Sequence, residues 1–493
     1  MEEKLIAVML DKAGFEYDVH SLVKAFFPEC DVKVFVEGEK EIASTEGLPD
    51  ISLRFEKDSI LMGVVKVSEE KSDSRFHGFK IPIEDTMERA EVKNCLKQLI
   101  YTVLAEFCGR HLPWGTLTGI RPTKIPMTML EEGKDEAEIL SYMQDTYFIS
   151  REKGELSIDI AKREKELLST LHYEDGYSLY IGIPFCPTTC LYCSFTSYPI
   201  VSWKKRMEEY LKALEKEIAF TAEFYGHRIL DTVYIGGGTP TTLEAEELDR
   251  LLGYLKEKLD FSHVKEFTVE AGRADSITRE KLEVLKKWGV TRISVNPQTM
   301  HDKTLQLIGR RHTVEQVKEA YALAKEVGFE NINMDLILGL PGEGAEEVAE
   351  TIREVKQLAP DSLTAHSLAI KRGSRLYQWI EEHGISALNN TDETMEIAAG
   401  GAQEMDMVPY YLYRQKNMSG NFENVGYAKE GKFGIYNILI MEEKQTIIAL
   451  GAGSITKRVY GDGRIERCDN VKDVSLYIEK IDEMIERKRK LLS

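Results

Sequence analysis

Short apolar runs alternate with charged segments of helical period through the middle of the chain. The runs are four to seven residues long and largely contiguous in their apolar residues, which is typical of parallel strands covered on both faces. Six such strands are predicted, at Ser178–Ile183, Thr232–Ile235, Glu266–Glu270, Arg292–Val295, Ile332–Leu338 and Ser362–Leu368. Six β/α units in a row predict an α/β fold with a parallel sheet, arranged as a partial (β/α)6 barrel or as a doubly wound sheet. In both arrangements ligands bind at the carboxyl ends of the strands.

Residues 1–150 have a different pattern, which predicts a separate N-terminal α/β or α+β domain. Runs of strand length and β-branched content lie at Leu5–Leu10, Val32–Val36, Ile51–Phe55 and Ile60–Val67. Apolar residues then recur at helical spacing through Glu91–Cys108. The segment Pro113–Pro126 is rich in Gly, Pro and Thr and is predicted to be a loop, in which Arg121 and Lys124 either meet an anionic substrate or are simply solvated.

The remaining segments complete a four-part division of the chain. Residues 151–176 are highly charged with helical spacing and are predicted to form a helical linker to the core, which spans residues 177–377. The strand and helix alternation stops in residues 378–493, which predicts a small C-terminal domain. Its predicted elements are helices at Asp392–Met405 and Asp473–Leu492 and a strand at Tyr436–Met441.

Composition narrows the classes of function. The chain has 493 residues, with 64 Lys and Arg against 83 Asp and Glu, and the formal charge of −19 argues against a general nucleic-acid binder. The sequence has no apolar run of about 18 residues, and the acidic start MEEKLIAVMLD does not resemble a signal peptide. We therefore expect a cytoplasmic protein without a membrane span.

Three of the seven cysteines are crowded behind the first predicted strand of the core. Cys186, Cys190 and Cys193 have the spacing C-x3-C-x2-C, whereas Cys30, Cys95, Cys108 and Cys468 are scattered. Three thiolates in one loop can bind three irons of a [4Fe–4S] cluster and leave the fourth iron open to a ligand. A structural zinc site normally needs four ligands, and three unrelated buried cysteines are the remaining alternative.

Three motifs together carry a family resemblance. They are YIGIPFCPTTCLYC at Tyr180–Cys193, GGGTP at Gly236–Pro240 and DLILGLPG at Asp335–Gly342. The chain resembles the radical S-adenosylmethionine (SAM) superfamily and, within it, the oxygen-independent coproporphyrinogen III oxidase (coproporphyrinogen dehydrogenase) family, over roughly residues 175–460. The long N-terminal extension is similar to one branch of that family. The resemblance implies a partial (β/α)6 barrel, a [4Fe–4S] cluster on the three cysteines and two bound SAM molecules.

Matching positions imply the SAM contacts. For the first molecule these are Tyr180, Gly237, Glu270 and, more weakly matched, Ile455, and Gly236 belongs to the glycine run that meets the methionyl amino group. For the second molecule they are Tyr192, Gly238, Thr239, Gln298, Arg310, Asp335 and Ala369. Tyr180 is also the implied catalytic residue. Simpler alternatives are a core position for Tyr180 or Ile455 and a solvated surface pair for Arg310 and Arg311.

The resemblance also implies a reaction in haem (porphyrin) biosynthesis under anaerobic conditions. Two propionates of coproporphyrinogen III become vinyl groups and give protoporphyrinogen IX, by way of a 5′-deoxyadenosyl radical. An electron donor such as flavodoxin or ferredoxin and an external acceptor take part. Lys371 and Arg372, just past the sixth strand, are candidate partners for the propionates or residues of a solvated turn.

One position leaves other functions open. Phe195 stands two residues after Cys193, where the enzymes that define the activity carry another Cys and haem-handling relatives carry Phe. The stretch after Pro409 lacks the Y-E-x-S-N-x-A run of those haem-handling relatives. The alternatives are another tetrapyrrole-modifying or methyl-transferring radical enzyme, or a haem-binding chaperone. In a chaperone the axial ligands would be among His366, Tyr410, Tyr411 and Tyr413.

Overall fold

The computed structural model describes residues 5–37, 49–66, 75–371, 373–384, 387–415, 418 and 421–493. They divide into two compact units, Met1–Asp159 with Arg414–Phe422, and Ile160–Tyr413 with Glu423–Ser493. The four-part division drawn from the sequence stays a prediction. No helix among the described residues is long and apolar enough to cross a membrane.

The first unit contains a five-stranded sheet with helices. Its strands are β1 Leu5–Leu10, β2 Asp31–Val36, β3 Pro49–Phe55, β4 Ser59–Lys66 and β5 Arg75–Pro82, in the order β2-β1-β3-β4-β5. Strand β1 is parallel to β2 and β3, and the other pairs are antiparallel. The helices are Glu16–Phe26, Arg89–Cys108, Lys124–Glu131 and Glu136–Tyr147, and a further helix, Arg151–Leu168, begins in this unit. The apolar faces of the helices Glu16–Phe26 and Arg89–Cys108 and the sheet form one buried core that includes Leu22, Leu96 and Ile100.

The second unit is built on one large sheet. Its strands are β6 Gly176–Ile183, β9 Ile229–Gly237, β10 Glu266–Gly272, β11 Arg292–Val295, β12 Ile332–Leu338, β13 Ser362–Ser367, β14 Val408–Tyr413, β15 Asn424–Ala428, β16 Thr446–Leu450, β17 Ile455–Val459 and β18 Ile465–Asp469. Two short strands, β7 Phe185–Cys186 and β8 Tyr198–Pro199, pair only with each other. Its helices are Met207–Tyr225, Ala245–Lys258, Arg279–Lys287, Asp302–Leu307, Val314–Glu326, Ala345–Leu358, Arg375–His383, Asp392–Glu404, Ile435–Glu442, Val474–Glu479 and Ile481–Leu492.

The strand order confirms a partial barrel. Strands β6 and β9 to β13 are all parallel and follow one another in chain order, whereas a doubly wound sheet would reverse direction at a switch point. Strand β16 adds a parallel neighbour to β6, and β17 and β18 continue antiparallel. At the other side β15 and β14 are added antiparallel to β13, so the sheet ends in β14 and β18 without closing on itself.

Two predicted elements were wrong. The apolar run Tyr436–Met441 lies inside the helix Ile435–Glu442, because a short buried apolar run fits either a strand or a helix and its neighbours decide. The predicted loop Pro113–Pro126 ends in a helix that begins at Lys124. Pro126 is compatible with that helix because it lies in the first turn, where its missing N–H is not needed.

Candidate active site

Away from its ends, each of five parallel strands is fully buried except at one position. These positions are Tyr180 in β6, Tyr234 in β9, Glu270 in β10, Asp335 in β12 and His366 in β13. The strand register sets Tyr180 opposite Tyr234. The positions thus bring aromatic, acidic and imidazole groups together across neighbouring strands in an otherwise apolar sheet. An acid in a buried strand needs a partner, and each of the two acids has one.

Glu270 lies within a cluster of tyrosine rings. Tyr234 donates a hydrogen bond to Glu270 Oε1 at 2.6 Å. The Tyr234 ring stacks on Tyr436 at 4.5 Å between centroids, and Tyr180 stacks on both at 6.2 and 6.1 Å. Burial raises the pKa of Glu270 to about 7, although the bond from Tyr234 acts in the opposite direction. The carboxyl can therefore hold or release a proton near neutral pH.

Asp335 has a different environment from Glu270. Asn333 Nδ2 donates to Asp335 Oδ1 at 2.7 Å, and His366 Nε2 lies 3.8 Å from the same oxygen. Burial acts to raise the pKa of Asp335, but interactions with His366 and Asn333 outweigh it and hold the pKa below its ordinary value. Tyr413 OH is 3.3 Å from His366 Nδ1. Asp335 is thus an ionised acceptor, and His366 is oriented from both sides.

Gln298 is locked beside Asp335 by the backbone. Its N–H donates to the Asp335 carbonyl at 2.9 Å, and its own carbonyl accepts from the Ile337 N–H at 2.9 Å. Gln298 has a φ of 70°, a left-handed conformation that costs a non-glycine residue energy and is common at functional sites.

The cysteine loop and the glycine run fit directly against each other. Gly238 N–H donates to the Ile183 carbonyl at 2.8 Å, and Thr239 N–H donates to the Phe185 carbonyl at 2.7 Å. A Cβ on Gly238 would lie 2.5 Å from the Phe185 carbonyl oxygen, so only glycine permits this approach. The Thr239 hydroxyl also donates to Cys186 Sγ at 3.6 Å.

The three thiols of the loop influence one another. Burial raises the pKa of Cys186 to about 11, and the nearby Cys193 and Cys190 thiols raise it further, while the Thr239 hydrogen bond lowers it. Burial likewise raises the pKa of Cys193. Three sulfur donors within one loop are the kind of donor set that soft metals such as iron prefer.

Arg310 is a buried cation near this loop. Its Nη1 donates to the Asn296 carbonyl at 2.5 Å, and its Nη2 is 3.4 Å from Tyr192 OH. Its buried Nε–H has no hydrogen-bond partner within the described part of the chain. Because Arg310 is only 6% exposed, the alternative of a solvated surface pair is wrong for this residue. Its unsatisfied guanidinium donor favours an anionic ligand.

The other predicted positions differ in their surroundings. Ala369 follows β13 and is half-buried, and Ile455 opens β17 and is 46% exposed, which excludes a core position for Ile455. Tyr410 and Tyr411 are buried, and Tyr410 stacks on Phe433, so of the three tyrosines only Tyr413 reaches His366. Arg372 lies outside the described residues.

Sequence reasoning missed Tyr234 and Tyr436. Tyr234 interrupts an apolar strand two residues before the glycine run, which was a usable signal. The sequence contains no comparable signal for Tyr436, because its helix is distant in sequence from the strands that it meets.

Comparison with known proteins identifies relatives. Residues 180–355 match the family model described as "Radical SAM superfamily". The chain is 42% identical over 407 residues to the oxygen-independent coproporphyrinogen-III oxidase-like protein HemZ of Bacillus subtilis, which covers 82% of this chain and 81% of that protein. It is 34% identical over 307 residues to the haem chaperone HemW of the same organism, which covers 62% of this chain and 76% of that protein.

A solved structure has a similar fold. The coproporphyrinogen III oxidase HemN of Escherichia coli aligns with a TM-score of 0.51 and 23% identity, covering 65% of this chain and 72% of that one. At this identity the likeness concerns the fold alone, and it agrees with the open sheet of the second unit.

Proposed function

Because this chain belongs to the radical SAM superfamily, and within it to the family of oxygen-independent coproporphyrinogen III oxidase-like proteins, we propose that it acts on coproporphyrinogen III. The observation that carries the proposal is the 42% identity with the Bacillus subtilis relative, which extends over 82% of the chain and so well beyond the radical SAM core. Two propionates are oxidatively decarboxylated to vinyl groups, giving protoporphyrinogen IX. For each propionate, a hydrogen atom leaves the β-carbon, CO2 leaves from the carboxylate, and an external acceptor takes the remaining electron.

Family membership implies a [4Fe–4S] cluster and SAM, and the residues of the cysteine loop fit the cluster. Cys186, Cys190 and Cys193 supply three soft donors in one loop, and the Thr239 hydroxyl orients the Cys186 sulfur by donating to it. When bound, the cluster and SAM together supply a 5′-deoxyadenosyl radical. An electron donor such as flavodoxin or ferredoxin provides the electron.

The carbonyl and side-chain groups around the loop bind and orient SAM in this proposal. Gly237, with a φ of 109°, presents its backbone to the methionyl amino group. The unsatisfied Arg310 Nε–H pairs with a carboxylate, and Glu270 accepts a hydrogen bond from a ribose hydroxyl. Asp335, ionised and fixed by Asn333, accepts in the same way from a second SAM molecule.

The remaining assigned contacts complete the two sites in this proposal. Tyr180 covers the first molecule with its ring, and Ile455 contributes an exposed apolar contact. Tyr192, Thr239, Gln298, Gly238 and Ala369 surround the second molecule. Lys371, just past the sixth predicted strand, pairs with a propionate of the substrate in this proposal.

The test is an anaerobic turnover assay with the reconstituted full-length protein. We expect 5′-deoxyadenosine and a porphyrin product lighter by two CO2 and four hydrogens when coproporphyrinogen III, SAM and a reductant are present. The matched control is Cys190→Ala, which should give neither product. Formation of 5′-deoxyadenosine with unchanged coproporphyrinogen would refute the substrate and favour another tetrapyrrole or methyl-transfer reaction.

Haem binding is the second candidate, favoured by the 34% identity with the Bacillus subtilis haem chaperone over 76% of its length. His366 is the best-placed ligand, because its ring is partly exposed and is oriented by Tyr413 and Asp335. Stoichiometric haem binding with a Soret band that shifts in His366→Ala, but not in an exposed control such as His383→Ala, would support this function. An unchanged Soret band in His366→Ala would exclude His366 as the ligand.

A further inference from the structure

Two segments around the cysteine loop are free of acidic residues in a strongly acidic chain. About one residue in six is Asp or Glu overall, yet residues 184–207 and 303–312 contain none. The same segments carry Lys204, Lys205, Arg206, Lys303, Arg310 and Arg311. Thirty-four residues of average composition in this chain would hold about six acids, so these two segments are basic within an acidic chain, although Lys204 pairs with Glu244 and Arg206 with Glu209.

The fold joins these segments beside the thiols. Leu191 N–H donates to the Ile308 carbonyl at 2.9 Å, and the Thr188 hydroxyl donates to the Gly309 carbonyl at 2.8 Å. A third segment is attached through Arg375, whose guanidinium donates to the Thr189 carbonyl. The three segments line one open cavity of about 750 Å³ that includes Val201, Arg311 and Arg375.

The segments that line this cavity expose both apolar and basic side chains. Val201 is 78% exposed and Phe195 is 75% exposed, the largest exposures of bulky apolar residues among those described. Lys204, Lys205, Arg311 and Arg375 are also exposed, and Lys204 pairs with the exposed Glu244 at 3.4 Å. Strongly exposed bulky apolar side chains among basic ones are typical of a transient protein interface rather than of a solvated loop. We name these two apolar and four basic residues the basic face.

We propose that the basic face docks an acidic one-electron donor protein. The inference rests on the proposed radical chemistry, which needs one electron at the cysteine loop for each SAM cleaved. The reduced donor would lose one electron and a cluster held by the cysteine loop would gain it, with no bond or proton exchanged.

Charge and position support this occupant over others. A chain of formal charge −19 repels an acidic protein in general, so a local basic surface sets both the rate and the orientation of the encounter. Thr188 and Thr189, which contact the segments of the face, lie between the ligands Cys186 and Cys190. A donor bound at the basic face therefore lies against segments that contact the loop between two of the three thiols.

The test measures binding separately from turnover. The probe is a purified acidic flavodoxin, titrated into the reconstituted full-length protein at 50 and 300 mM NaCl. We expect Lys204→Glu/Lys205→Glu to weaken binding at least tenfold at low salt and less at high salt. The matched control is Lys286→Glu/Lys287→Glu, which makes the same charge change at two exposed adjacent lysines at the amino ends of the strands and should change the affinity less than twofold.

A second readout separates docking from catalysis. With dithionite as reductant, Lys204→Glu/Lys205→Glu should form 5′-deoxyadenosine at the wild-type rate, whereas with reduced flavodoxin it should be at least tenfold slower. Equal flavodoxin affinity in the variant and the wild type would overturn the proposal, as would a loss of coproporphyrinogen binding with flavodoxin binding intact. Failure of the porphyrin assay would leave the flavodoxin titration unaffected, so the two proposals fail independently.

Discussion

Glu217 and Lys488 form an ion pair that solvent does not reach. Both side chains are 0% exposed, with Lys488 Nζ 2.5 Å from Glu217 Oε1. The carboxylate also accepts from Gly451 N–H at 2.8 Å, Asn470 Nδ2 at 2.9 Å and Tyr477 OH at 2.5 Å. This network links the last helix to the turn after β16.

Removing the cation should destabilise the second unit strongly. In Lys488→Met the side chain keeps most of its volume, but Glu217 is left as a buried carboxylate without a counter-charge. Breaking one side of a buried ion pair costs about 3–5 kcal/mol. Three neutral donors remain on Glu217, so we expect about 3 kcal/mol, the lower end of that range.

Urea unfolding followed by far-UV circular dichroism measures the loss. Glu217→Gln/Lys488→Met removes both charges and should be destabilised by at least about 2 kcal/mol less than the sum of the two single variants. The control Lys480→Met removes an exposed lysine of the same chain end and should change the free energy of unfolding by less than about 0.5 kcal/mol. A loss below about 1 kcal/mol in Lys488→Met, or additive effects in the double variant, would refute the reasoning.

Three further predictions concern the site. Cys190→Ala should lose the iron and the visible absorbance of the reconstituted protein while keeping its circular dichroism spectrum, and Cys468→Ala should keep both; full iron content in the first variant would remove Cys190 from the ligand set. Asp335→Ala should lower the rate of 5′-deoxyadenosine formation at least tenfold with unchanged iron content, and an unchanged rate would place Asp335 outside the site. Because burial raises the pKa of Glu270 from 4.5 to about 7, the folded cofactor-free protein holds a proton that the unfolded chain releases, and stability falls as the pH rises from 5 to 8. Glu270→Gln should reduce this fall in the thermal midpoint and exposed Glu283→Gln should not; equal slopes for all three proteins would contradict the raised pKa.

The sequence alone determined the parallel sheet and the cysteine loop. The predicted strands Arg292–Val295 and Ile332–Leu338 agree with the structure at both ends. Strands of this kind are covered on both faces, so their apolar runs are contiguous and their ends are marked by polar residues. The cysteine spacing is also a local feature, because Cys186, Cys190 and Cys193 lie within one loop of the chain.

Tertiary structure alone decided which side chains meet. Tyr234 and Glu270 are 36 residues apart, and Tyr413 and His366 are 47 apart, yet both pairs are in hydrogen-bonding contact. Arg310 reaches Tyr192 across 118 residues. Such pairs depend on strand order and register, which no local pattern encodes. The helix Ile435–Glu442 also depends on tertiary contacts, because a short apolar run takes the conformation that its buried neighbours can accommodate.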